Sequence, residues 1–281
     1  MTRYLTLDVF TDVPFGGNPL AVIPDARALP GGALQKIARE FNYSETTFVF
    51  PPADPAHTAR VRIFTPTMEV PFAGHPTIGT GVALAHAGHG PDMVLELGIG
   101  PIAVRAAGDT AEFTTHAPLD VLAHPTLQEV AAALSLAETE IETTTHSPIM
   151  AGVGLAFTLT ELKSRAALAS AQPDIAAFRA GAARYPDGLD FAQFCYWRGP
   201  DAIHTRMFAP LDNIPEDPAT GSAAAAFGAL LADLKGPQDL SVLQGEDMGR
   251  PSRIGVRAES GSVTISGAAQ LMMEGRIITP R

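Results

Sequence analysis

Three short stretches of this 281-residue sequence carry side chains suited to moving a proton. In "FNYSETTFVF", Glu45 sits where a polar turn enters a strongly apolar strand. A carboxylate at the mouth of an apolar cleft is pushed toward its neutral form, which suits acid/base work near neutral pH. In "FAGHPTIGTG", Gly74 and His75 open a helical run, and in "DPATGSAAAAFGALLADL" Asp217 leads a Thr220-Gly221-Ser222 turn into another. Two acids, an imidazole and a hydroxyl can take a carbon-bound proton, orient the ligand that loses it, and return it elsewhere. Taken singly, each residue also has an ordinary reading. Glu45 would be a solvated strand-start acid, His75 a packing residue, and Asp217 and Ser222 helix caps. Their recurrence at equivalent places in two repeats favours the chemical reading.

The elements that must position these groups are unusual. The helical runs after His75 and after Ser222 are apolar on every side. A helix with no wet face must be enclosed, and the segments around it read mostly as strands. The pattern predicts a sheet curled around its helix. Small residues (Gly79, Thr80, Gly81 and Ala83 in the first run, Ala223 to Ala226 and Gly228 in the second) let strands approach closely. A buried helix start still carries unpaired N–H groups and the positive end of the dipole. Those groups favour a carboxylate or a developing oxyanion, here at Gly74 and Gly221.

The chain also repeats itself. "RIFTPTMEVPFAGHPTIGTGVALA" from Arg62 matches "RMFAPLDNIPEDPATGSAAAAFGALL" from Arg206, with Arg62, Phe64, Pro66 and Pro71 on Arg206, Phe208, Pro210 and Pro215. Upstream, "GNPLAVI" from Gly17 resembles "GVGLAFT" from Gly152; downstream, "IAVRAAGDTAEF" resembles "IGVRAESGSVTI". The matches stay collinear, which signals two halves of one architecture. Each half opens with a strand ("YLTLDVF"; "MAGVGLAFTLT"), and "GGALQKIAREF" reads as a helix with Leu34, Ile37, Ala38 and Phe41 on one face. The expected fold is α+β: two similar domains, each a mixed β-sheet barrel wrapped around a central helix, related by a pseudo-two-fold axis, with both helix starts facing one cleft. The expected domains are 1–117 plus 270–281, and 118–269, the tail "EGRIITPR" returning to pair with the first half.

Composition narrows the function. The formal charge is −11 and no Lys/Arg run occurs, which argues against nucleic acid or an anionic membrane surface as partner. One cysteine, Cys195, excludes an internal disulfide and a thiolate metal site. The longest apolar stretch, 221–232, is shorter than the ~20 residues that span a bilayer. With no signal-like start, a cytoplasmic protein is expected. "GHPTIGTG" lacks the lysine of a phosphate-binding loop, Thr80 standing in its place. "HAGH" (His86, His89) has no acidic or thiol neighbours in sequence, so no metal is expected.

Five motifs, "DVFTDVPFGGNPLAVI", "NYSETTFV", "FTPTMEVPFAGHPTIGTG", "DPATGSA" and "QGEDMGRPS", resemble in order and spacing the phenazine-biosynthesis isomerase (PhzF-like) family, which shares its fold with diaminopimelate epimerase. The resemblance runs from Tyr4 to about Ser252. It implies two barrels, each around a helix, with the active site between them. It implies Glu45 as acid/base, with His75, Asp217 and Ser222 as further catalytic residues. Gly74, Gly221, Asn18 and Thr220 would bind the substrate, a small carboxylate. The family's type reaction isomerises trans-2,3-dihydro-3-hydroxyanthranilate without a cofactor, and a homodimer is its common state. Two alternatives stand beside this one. An amino-acid epimerase or racemase on the same fold needs a thiol at each helix start, where this chain has His75 and Ser222. A non-catalytic small-molecule binding protein would use the same cleft without turnover.

Overall fold

The computed structural model describes residues 1–278. In chain order the elements are β1 (Thr2–Val9), β2 (Asn18–Ile23), α1 (Gly31–Phe41), β3 (Glu45–Phe50), β4 (Ala59–Phe64), β5 (Glu69–Val70), α2 (Gly74–His86), β6 (Asp92–Leu97), β7 (Gly100–Ala107) and β8 (Thr110–Thr115). Then come β9 (Asp120–Ala123), α3 (Leu127–Leu134), β10 (Ile149–Gly152), β11 (Ala156–Glu161), α4 (Arg165–Ser170), α5 (Ile175–Arg184), β12 (Gln193–Arg198), β13 (Ile203–Ala209), β14 (Ile214–Asp217), α6 (Gly221–Lys235), β15 (Gln238–Gln244), β16 (Ser252–Glu259) and β17 (Ser262–Ile277). The chain divides into two compact units, Met1–Thr114 with the segment from Ile265 onward, and Thr115–Thr264. Each is described in its own right.

In the first unit the strands close on themselves. β1 pairs antiparallel with β2, β2 parallel with β3, β3 antiparallel with β4, β4 parallel with β6, and β6 and β7 antiparallel with their successors. β8 pairs with β17, and β17 antiparallel with β1, which completes an eight-strand barrel. The end of β17 returns as the tail pattern implies, Glu274 to Ile277 lying opposite Leu5 to Thr2. The expectation for residues 279–281 lies outside the described residues.

Side-chain periodicity explains what fills the barrel. Thr47 of β3 faces inward and shares a 2.9 Å hydrogen bond with Thr80 of α2. Phe48, one residue on, faces outward into a cluster with Leu34 and Ala38 of α1. That alternation is the strand period of two. Residues 74–84 of α2 are all buried, and the helix packs against β1, β2, β3 and β7. A Cβ on Gly79 would stand 2.5 Å from Leu20 Cδ2 and 2.7 Å from Val9 Cγ2, so only a bare backbone fits there.

The second unit repeats the pairing scheme. β10–β11 is antiparallel, β11–β12 parallel, β12–β13 antiparallel, β13–β15 parallel and β15–β16 antiparallel, with β9 antiparallel to β10 as β17 is to β1. Its helix α6 is buried through the corresponding stretch and packs against β10, β11, β15 and β16. Gly228 repeats the role of Gly79, a Cβ there reaching 2.5 Å from Val256 Cγ1. One strand expectation is corrected. "MAGVGLAFTLT" is not one strand but the hairpin β10–β11, turning at Val153-Gly154-Leu155, where Gly154 has φ +131°. The first and second strands are thereby joined by a turn too short to show as a break in hydrophobicity.

Candidate active site

Glu45 is the first residue of β3 and lies on the same face as Thr47, so its side chain belongs to the barrel mouth above the start of α2. There it meets His75, whose Nε2 is 3.4 Å from Glu45 Oε2. The Glu45 side chain is only 16% exposed and that of His75 5%, which removes the solvated-acid reading of Glu45. Burial pushes the His75 imidazole down to about 3, so it is neutral at ordinary pH.

Helix α2 is preceded by Ala73 in an extended conformation, and α6 by Thr220. Among the described residues no side chain of either N-cap residue bonds the first turn. The amides at Gly74 and Gly221 are therefore positioned by helix geometry and left to other acceptors. Both glycines are buried, and Ser222 is half-buried. Asn18, at the start of β2, is fully buried opposite Val9 of β1. The turn before it requires glycine: Gly17 has φ +58°, and a Cβ there would meet Val9 O at 2.2 Å.

In the second unit Asp217, at the end of β14, is buried, and Thr220 Oγ1 donates to its Oδ2 at 2.5 Å. Two residues without an assigned role in the sequence organise this loop. Gln244, the last residue of β15, hydrogen-bonds Asp217 O, Thr220 N and Thr220 Oγ1. Ser252 Oγ bonds Pro218 O at 2.8 Å and Gln244 O at 3.1 Å. Between them Gly245 has φ +74°, and a Cβ would come within 2.7 Å of Pro218 O. The motif "QGEDMGRPS" is thus the clamp that holds "DPATGS". Its signal was the glutamine-glycine step ending an apolar strand, which gives no hint of its partner.

Other clusters are spoken for. Cys195 is fully buried in β12, and burial pushes its thiol up to about 12, so it is no nucleophile. His86 does have an acidic neighbour, Asp109, at 2.8 Å, in an exposed pair. Among the described residues no group of three or more His, Cys, Asp or Glu converges as a metal site, and no helix is long and apolar enough to cross a membrane. A hollow of about 520 Å³ beside β4 and β5 is lined by Arg62, Glu69 and Glu96. Its acids are already bound: Glu69 to Arg62, and Glu96 to the amides of Ala53 and Asp54 and to His57.

Two units of like strand pairing, each holding a buried apolar helix, define an α+β, epimerase-like fold. The chain belongs to the PhzC-PhzF family, described as phenazine biosynthesis-like protein, which matches residues 7–275. It is 39% identical to an uncharacterized isomerase of Mesorhizobium japonicum, over 98% of both chains. It is 37% identical to the trans-2,3-dihydro-3-hydroxyanthranilate isomerase of Pseudomonas aeruginosa, over 98% of this chain and 99% of that one. A solved structure of a predicted epimerase from Pseudomonas aeruginosa matches with a TM-score of 0.85 and 31% identity over the whole of both chains. The protein is an isomerase of this family.

Proposed function

We propose that the protein catalyses a cofactor-independent proton shift on a small, cyclic, amino-acid-like carboxylate, with Glu45 as the acid/base. The observation that carries this reading is the Glu45–His75 pair: a carboxylate drawn out of water to 16% exposure, 3.4 Å from an imidazole that burial keeps neutral. A charged histidine would tie Glu45 up as an ion pair, whereas a neutral one leaves the carboxylate basic enough to accept a proton. In the step proposed, a substrate C–H bond breaks, its proton passes to a Glu45 oxygen, and the electron pair delocalises into the conjugated acid. Glu45 then returns the proton to another carbon, so atoms and electrons balance without an oxidant or a cofactor. In the first unit the helix-start amide at Gly74 suits the developing negative charge and His75 orients the ligand's polar groups; the family resemblance adds Gly221, Asp217 and Ser222 to the proposed set. The name of the Pseudomonas aeruginosa relative supports the substrate class.

The test is incubation with trans-2,3-dihydro-3-hydroxyanthranilate and related cyclic amino carboxylates in D2O. The expected result is deuterium at a carbon position, lost in Glu45→Gln while ligand binding persists. Binding without exchange for every ligand tried would replace this reading with that of a non-catalytic binding protein.

A further inference from the structure

The Gln244 amide beside Asp217 has only one consistent orientation. Gln244 is fully buried, and its amide orientation is dictated by two partners that cannot change roles. Its Oε1 receives the backbone N–H of Thr220 at 3.2 Å, a group that only donates. Its Nε2 gives a hydrogen to the carbonyl of Asp217 at 2.7 Å, a group that only accepts. The remaining amide hydrogen goes to Thr220 Oγ1 at 2.9 Å. The Thr220 hydroxyl thus accepts from Gln244 with one lone pair and is held against Asp217 Oδ2, to which it donates when that carboxylate is ionised. Chains of this kind polarise along their length, and their members here are all buried.

From this geometry we infer that Gln244, acting through Thr220, is a positioning residue that fixes Asp217 as a hydrogen-bond acceptor. Asp217 then accepts from a ligand's donor groups and does not carry a migrating proton. This deepens the isomerase reading and rests on it for the substrate, though not for the hydrogen-bond chain itself. The clamp is built to last: Ser252 holds the carbonyls of Pro218 and Gln244, and Gly245 makes the close passage possible. Asp212, in the turn leading into β14, is pushed up to about 6 by burial and by its hydrogen bond with Asp190. Glu216 of β14 is held by Arg206 of β13, and Asp247, in the turn after β15, stands 4.0 Å from Arg206.

The test is a carbon-13 NMR titration of protein labelled at aspartate, with the Asp217 signal assigned from Asp217→Asn. In the wild type the Asp217 carboxyl carbon is expected to report the ionised form at neutral pH; a protonated signal there overturns the inference without any variant. In Thr220→Val and Gln244→Met the titration midpoint is expected to rise by about one unit, because the charged form has lost a hydrogen bond. Thr220→Ser, which keeps the hydroxyl, is expected to restore it. A Thr220→Val midpoint equal to that of the wild type also overturns the inference. The readout needs no substrate, so it stands apart from the deuterium experiment. Failure of that experiment removes the proposed proton shift and leaves this hydrogen-bond chain intact.

Discussion

The carboxylate of Glu45 stands 3.4 Å from the Nε2 of His75, at the point where a strand enters its barrel and a buried helix begins. The relationship fixes the acid from two sides, by the first inward position of β3 and by the second residue of α2. Shortening the side chain breaks the geometry without removing the chemistry. Glu45→Asp withdraws the carboxyl by about one carbon–carbon bond, and a misplacement on the order of 1 Å costs about 10²-fold in rate. The expected outcome is a hundredfold slower deuterium exchange with an unchanged melting temperature. An exchange rate within a few-fold of the wild type would move the base elsewhere.

His75 makes a prediction about stability. Its pKa falls from 6.5 to about 3 in the folded protein because burial penalises the imidazolium. Between those values the unfolded chain binds a proton that the folded chain does not. Stability from this residue is therefore fully present above about pH 6.5 and is lost as pH falls toward 3. Over that window the slope approaches about 1.4 kcal/mol per pH unit. Urea unfolding of the wild type and His75→Gln at stepped pH should show a shallower acid loss in the variant. Parallel curves would mean that His75 titrates normally in the fold.

Much of this fold was legible because enclosure leaves a mark on composition. The two helices with no polar face require walls, and the collinear matches from Arg62 and Arg206 require that both walls be built alike. Helix α1 shows plainly, its Leu34 and Ala38 buried and its flanks polar. The hairpin at Gly154 did not show, because both its strands are apolar and the turn between them is short. The role of Gln244 was hidden for a different reason. Its partners lie 24 to 27 residues away, and only the pairing of β13 with both β14 and β15 brings them together. Residues such as Glu45 were findable by type and by the strand boundary; those that hold other residues in place were not.

Glycines inside and outside the barrels should respond oppositely to the same methyl group. At Gly79 of α2 an added Cβ meets Leu20 and Val9, both fully buried, at 2.5 and 2.7 Å. At Gly32, in the first turn of α1, nothing lies within 4 Å. Gly79→Ala is expected to destabilise by roughly 1–3 kcal/mol through overpacking. Gly32→Ala should be neutral or stabilising by up to about 1 kcal/mol, since alanine is the better helix former. Chemical denaturation of the two variants checks both; a Gly79→Ala protein as stable as the wild type would mean that α2 is not tightly enclosed.

The repeat extends to one ion pair, and burial separates its two copies. Arg62 grips Glu69 through Nε and Nη2 at 2.7 and 2.6 Å, and Arg206 grips Glu216 the same way at 2.8 Å for each bond. Each guanidinium also lies over the phenylalanine two residues on, Phe64 in one unit and Phe208 in the other. The first pair is 35% and 43% exposed, the second 6% and 15%. Arg206 further donates to the carbonyls of Leu168, Ala169 and Ala171, which end α4. Screening limits an exposed pair to about 1 kcal/mol, whereas removing one partner of a buried pair strands the other charge at roughly 3–5 kcal/mol. Arg62→Met should therefore cost little, and Arg206→Met should lower the unfolding free energy several-fold more. Because Glu216 immediately precedes Asp217, Arg206→Met should also disturb the Asp217 carboxyl signal, while Arg62→Met leaves it in place. Equal losses from the two variants would show that the shared chemistry, and not burial, sets the strength of the pair.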